Sequence, residues 1–119
     1  MLPLIACSEE PEYNNTSEPE KEYYVKYEAT VTSVYLTNNI TYTVNTERGI
    51  QTFKSGKSFS QTFGPFEKGF KASINVDATN LDQASTDAKI YVCRGSEPFA
   101  LKANNTGGKQ VSISYTIDY

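Results

Sequence analysis

The chain predicts an all-β fold, an antiparallel two-sheet β-sandwich of about seven to eight strands, on three observations. Strand-favouring residues dominate: valine, isoleucine and threonine recur alongside nine tyrosines and six phenylalanines, side chains that suit a pleated, half-buried surface. Apolar residues alternate with polar ones at a period of two, and no long stretch repeats them at helical spacing. Clusters of glycine, proline and asparagine punctuate these runs at short intervals. A length of 119 residues sets one domain as the expectation, large enough to bury a core without metals or several disulfides.

The alternation starts at Tyr23. Tyr23, Val25, Tyr27, Ala29 and Val31 point one way, and Tyr24, Lys26, Glu28, Thr30 and Thr32 the other, which is a strand with one buried face. Ser33 and Asn38-Asn39 bracket a bend around Val34, Tyr35 and Leu36, after which Ile40, Tyr42 and Val44 resume the pattern. Glu47-Arg48-Gly49 supplies a turn and residues 50–53 return as the hairpin partner. A phenylalanine-rich strand over residues 59–63 is expected to stop at Gly64-Pro65, because proline cannot donate to a ladder. Phe70, Ala72, Ile74 and Val76 mark the next strand, and residues 79–86 read as a polar loop. Ala88, Ile90 and Val92 follow, then a turn over residues 95–98, then Phe99, Leu101 and Ala103 as the apolar positions of another strand. Residues 104–108 turn once more before Val111, Ile113, Tyr115 and Ile117 close the chain. Eight short strands in the 97 residues from 23 to 119 give immunoglobulin-like dimensions.

Charge divides the chain. Residues 8–22 hold six glutamates against Lys21, a net of −5, whereas residues 23–119 carry eight acids and ten bases, a net of +2. Together with Pro11, Pro19 and the run Asn14-Asn15-Thr16-Ser17, the first of these reads as an acidic, flexible tether. Three regions result: residues 1–7, a tether over 8–22, and a sandwich domain over 23–119.

Composition removes several function classes. With no histidine in the sequence, Ser-His-Asp and Cys-His catalysis and histidine-ligated zinc are closed. The near-neutral domain has no basic stripe of the kind a phosphate backbone requires, so nucleic acid is not an expected partner. Asp77, Asp82 and Asp87 with Asn80 fit no calcium-loop spacing and read as solvating acids. No catalytic residue, metal or cofactor is therefore expected, and the chain is read as not an enzyme. Tyr24, Phe53 and Tyr91, with Phe66 and Tyr119, fall out of phase with the apparent core, and rings of this kind can anchor a glycan or peptide. Tyr24, Phe53 and Tyr91 are the candidate ligand-binding residues.

Leu4, Ile5, Ala6 and Cys7 resemble the lipobox of bacterial lipoproteins. The resemblance implies that Cys7 carries the lipid. It also implies that residues 1–7 are the end of a longer export signal, being too short for a whole one. The acidic Ser8-Glu9-Glu10 looks like the signals that send lipoproteins to the outer face of the outer membrane, with the periplasmic face as the alternative. With Cys7 lipidated, Cys93 is expected to be an inert strand residue. Tyr27-Glu28, Ile40-Thr41-Tyr42-Thr43, Gly49-Ile50-Gln51-Thr52 and Ile90-Tyr91-Val92 are similar to small immunoglobulin-like export proteins, including mycobacterial small membrane proteins that accompany lipid exporters. The sequence departs from that group in lacking tryptophan and in its lipid-type anchor. The expected function is a lipid-anchored surface β-sandwich, a monomer, acting as a non-catalytic binding or structural module on a protein or glycan partner. A glycan- or peptide-binding module and a self-assembling, strand-exchanging subunit are the alternatives.

Overall fold

The structure, a computed structural model, describes residues 21–34 and 39–119. Among these described residues eight strands follow in order: β1 (Lys21–Thr32), β2 (Ile40–Thr46), β3 (Gly49–Ser55), β4 (Ser58–Glu67), β5 (Lys71–Asp77), β6 (Ser85–Arg94), β7 (Ala100–Gly107) and β8 (Gln110–Thr116). They form two four-stranded sheets, β4-β1-β6-β7 and β3-β2-β5-β8, with every pairing antiparallel. The expected sandwich is the observed one. The chain path divides its first two strands between the sheets, β1 in one and β2 in the other.

Period-two patterning sets which side of each strand is buried. Val25, Tyr27 and Ala29 of β1 and Ala88, Ile90 and Val92 of β6 meet Ile40, Tyr42 and Val44 of β2 and Ala72, Ile74 and Val76 of β5. Burial of such side chains, at roughly 1.5–3 kcal/mol each, holds the sheets face to face. Ala78 and Leu81 are buried too, so the polar stretch before β6 is tucked onto the core at two apolar residues.

Two departures from the expected strands share one cause, an extra residue in a ladder. β4 continues past Gly64-Pro65 to Glu67. Val25 pairs with Phe63 and Tyr23 with Phe66, so three residues of β4 oppose two of β1. An edge strand tolerates proline at such a bulge because no ladder bond is lost. The bulge also turns Phe66 inward, where it is buried and stacks on Phe70 at 3.8 Å. In β7, a register shift places Ala103 opposite Ile90 and Leu101 opposite Tyr91. Ala103 therefore packs on the core while Leu101 faces outward, 48% exposed. Residues 104–106, expected in a turn, instead pair with Lys89, Ala88 and Asp87.

The Tyr27 side chain ties the two sheets together by hydrogen bonds. The β2–β5 ladder ends at Val44 opposite Ile74, one step short of Asn45 and Ser73. There the Tyr27 hydroxyl, reaching across from β1, donates to the Asn45 carbonyl at 2.6 Å and accepts from the Ser73 N–H at 3.2 Å. Tyr42 makes a related bond, its hydroxyl donating to the Gly56 carbonyl at 2.5 Å.

Replacing Tyr27 with phenylalanine strands the carbonyl and the N–H together, so a loss of about 1–3 kcal/mol is expected in urea unfolding, with unchanged slope. Burial raises the pKa of both phenols, Tyr42 to about 12 and Tyr27 further, partly offset there by the Ser73 bond. A group whose folded pKa lies above its unfolded value stabilises fully below the unfolded one, about 10 for tyrosine. Stability should therefore fall as pH rises through about 10 and beyond, with tyrosinate absorbance from these two rings appearing together with loss of structure.

Candidate functional site

The outer face of the β4-β1-β6-β7 sheet is the surface on which chemistry-bearing side chains converge. Its two central strands bring together Tyr24 and Cys93, Lys26 and Tyr91, Glu28 and Lys89, Thr30 and Asp87, and Thr32 and Ser85 as direct cross-strand pairs. The register thus sorts the face along its length. Aromatic and aliphatic groups lie at one end, charges in the middle and hydroxyls at the other end.

At the first end, the Lys26 ammonium sits 4.9 Å from the Tyr91 ring centre and 5.1 Å from that of Phe99. A cation held between two rings fixes three otherwise mobile side chains. Leu101 stands opposite Tyr91, adding an apolar shoulder. In the middle, Lys26 pairs with Glu28 at 3.6 Å and Lys89 with Asp87 at 2.8 Å. These are partly exposed pairs, each contributing little to stability, but they leave the strip close to electrically neutral. The hydrogen bond from Lys89 to Asp87 also raises the lysine pKa.

At the far end, Thr30, Thr32, Ser85, Thr86, Asp87, Thr106 and Gly107 line an open cleft of about 450 Å³. Thr86 is committed to the fold, donating to the Gly108 carbonyl at 2.8 Å. Asp87 uses one carboxylate oxygen for Lys89, while its Oδ1 is shut from solvent with no hydrogen-bond partner among the described residues.

Of the residues expected to bind ligand, the structure brings Tyr24 and Tyr91 to this face and separates Phe53 from them. Phe53 belongs to the other sheet, opposite Tyr42 on the inward side, and packs on the core against Phe59 and Phe63, with ring centres 5.6 and 6.3 Å away. Tyr24 lies over the β4 bulge. A Cβ on Gly64, at φ 141°, would sit 2.7 Å from the Tyr24 ring and 2.9 Å from the Tyr23 carbonyl. Phe99 and Leu101 went unseen in the sequence because the β7 bulge reverses which residues of that strand face out. The Asp87 cleft went unseen because β1, β6 and β7 each supply part of it.

Asp77 is spoken for locally. Its carboxylate accepts from the Thr79 hydroxyl at 2.6 Å and N–H at 2.9 Å, bonds that hold its pKa below the usual value. Asp87 is a strand residue, and the described residues contain no cluster of three or more acids and cysteines able to hold a metal.

Cys93 occupies an outward position beside Tyr24, yet is 1% exposed and disulfide-bonded. It is not the inert thiol that the sequence led us to expect. Cys7 lies outside the described residues, as do residues 8–20 of the tether. Comparison with protein-family models, with characterised proteins and with solved structures finds no match to this chain.

Gly64→Ala should cost more than about 1 kcal/mol, because a side chain there meets both an unfavourable φ and a fixed carbonyl. Thermal unfolding against wild type measures the loss, and Tyr24 fluorescence or ring NMR signals should shift with it.

Proposed function

We propose that this chain is an exported β-sandwich of the cell envelope that works by binding a protein or glycan. Its interaction surface in this reading is the outer face of the β4-β1-β6-β7 sheet, and Cys7 is the lipid attachment that holds it at the outer membrane, facing the cell surface. The observation supporting the binding role is the organised strip itself: Tyr91 and Phe99 around Lys26, flanked by exposed Leu101. Rigid aromatic groups with an adjacent polar rim supply contact area at little entropic cost. The support for the anchor is the lipobox resemblance of residues 4–7, followed by fifteen tether residues that reach at most about 50 Å.

A second reading has one observation in its favour. Cys93 is disulfide-bonded and the sequence contains two cysteines. One sulfur cannot hold both a lipid thioether and a disulfide. A bridge between Cys7 and Cys93 would make the protein an exported, unlipidated module, in the same oxidising surroundings that envelope proteins meet.

The two readings separate in one experiment. The full chain is expressed in a Gram-negative host behind a basic start and an apolar run that leaves residues 4–7 as the processing site. The anchored protein should fractionate with membranes and carry a diacylglyceryl mass on Cys7, and Cys7→Ala should release it. Equal solubility of both forms, with a mass gain of two hydrogens on reduction of the wild type, would overturn the anchor and establish the bridge.

A further inference from the structure

We infer that the cleft at the Asp87 end of the outer face is a binding site for a neutral, hydroxyl-rich ligand, one or two sugar units in size. This rests on the reading of that face as the interaction surface and narrows it to a ligand class. The cleft is open to solvent, with a volume of about 450 Å³, so a ligand there would rest on the face rather than be enclosed by it. Its lining is hydroxyls and one carboxylate, contributed by three strands. Hydroxyls both donate and accept, which suits a ligand that does the same at every carbon.

Charge decides among ligand classes. A divalent cation needs several anionic oxygens, whereas this cleft holds a single carboxylate already bonded to the Lys89 ammonium at 2.8 Å. An anion would meet that carboxylate unfavourably. A neutral polyol meets neither obstacle. It can donate to the Asp87 side chain, which is 38% exposed, and accept from the threonine and serine hydroxyls around it. Lys89 fixes the carboxylate through its Oδ2, so the group is oriented before a ligand arrives. Tyr91 lies about 13 Å further along β6, four residues at strand rise, so a longer chain leaving the cleft would pass over Lys89 toward the Tyr91–Phe99 rings.

The test is a titration of the isotope-labelled full chain, followed by amide NMR. The probes are glucose, galactose, N-acetylglucosamine and their disaccharides, each to about 50 mM, a range that covers millimolar dissociation constants. At least one should give saturable shifts centred on Thr30, Ser85, Asp87 and Thr106. Asp87→Asn should weaken binding about tenfold or more. Thr30→Tyr, at an exposed rim position, should block binding while the rest of the spectrum shows an intact fold. Calcium should leave the cleft signals unmoved. Three results would overturn the inference: no saturable shift at the cleft with any sugar, equal binding by Thr30→Tyr, or saturable calcium binding at Asp87. Sugar shifts confined to Tyr91 and Phe99 would also overturn it while leaving the face as the interaction surface. Silence along the whole strip together with peptide or protein binding elsewhere would remove both.

Discussion

The Tyr27 hydroxyl holds a place that main chain would otherwise fill. β2 and β5 run as a regular ladder until Val44 and Ile74 and then part, and the phenol from the facing sheet sits between the next carbonyl and N–H. Burial of apolar side chains is non-directional and tolerates sliding of one sheet over the other. A hydroxyl bonded to two strands of the opposite sheet is directional, and it pins β1 at one point above β2 and β5. Asn45 adds to this anchor from its own side chain, donating to the Lys71 carbonyl at 2.8 Å. The alignment of the two inner faces, and through β1 the register of the outer strip, follows from that point.

Where alternation is uninterrupted, sequence and structure agree. Tyr23 to Val31, Ile40 to Val44 and Ala72 to Val76 each show their buried side directly, because a period of two is a geometric property of the strand. Bulges are what the pattern hides. An added residue reverses parity beyond it, so Phe66 looked outward in the sequence and is buried, while Leu101 looked inward and is exposed. Neither Pro65 nor Lys102 reveals by type which side its neighbours will take.

The candidate site was legible in proportion to its locality. Tyr24 and Tyr91 were found because each breaks phase within its own strand, and pairing of β1 with β6 puts them on one face. Phe53 is different: β3 is an edge strand whose apolar content is low, so its residues show no clear period of two, and Ile50 is 72% exposed while Phe53 packs on the core. The cleft depends on contacts between residues more than fifty positions apart, Thr30 with Asp87, which no local window contains. The disulfide of Cys93 requires a second sulfur brought close by the fold, which the local pattern around residue 93 does not contain.

At the start of β1, the Tyr23 hydroxyl donates to the carbonyl of Tyr119, whose ring meets Tyr23 edge-on at 5.6 Å. Residue 119 is therefore clipped beside the first residues of β1. Val31, near the cleft, lies eight residues along β1 from Tyr23, about 27 Å at strand rise. The start of β1 and residue 119 share one pole of the domain and the hydroxyl cleft occupies the other. A fusion joined at residue 119 would thus crowd that pole and leave the cleft at the other clear.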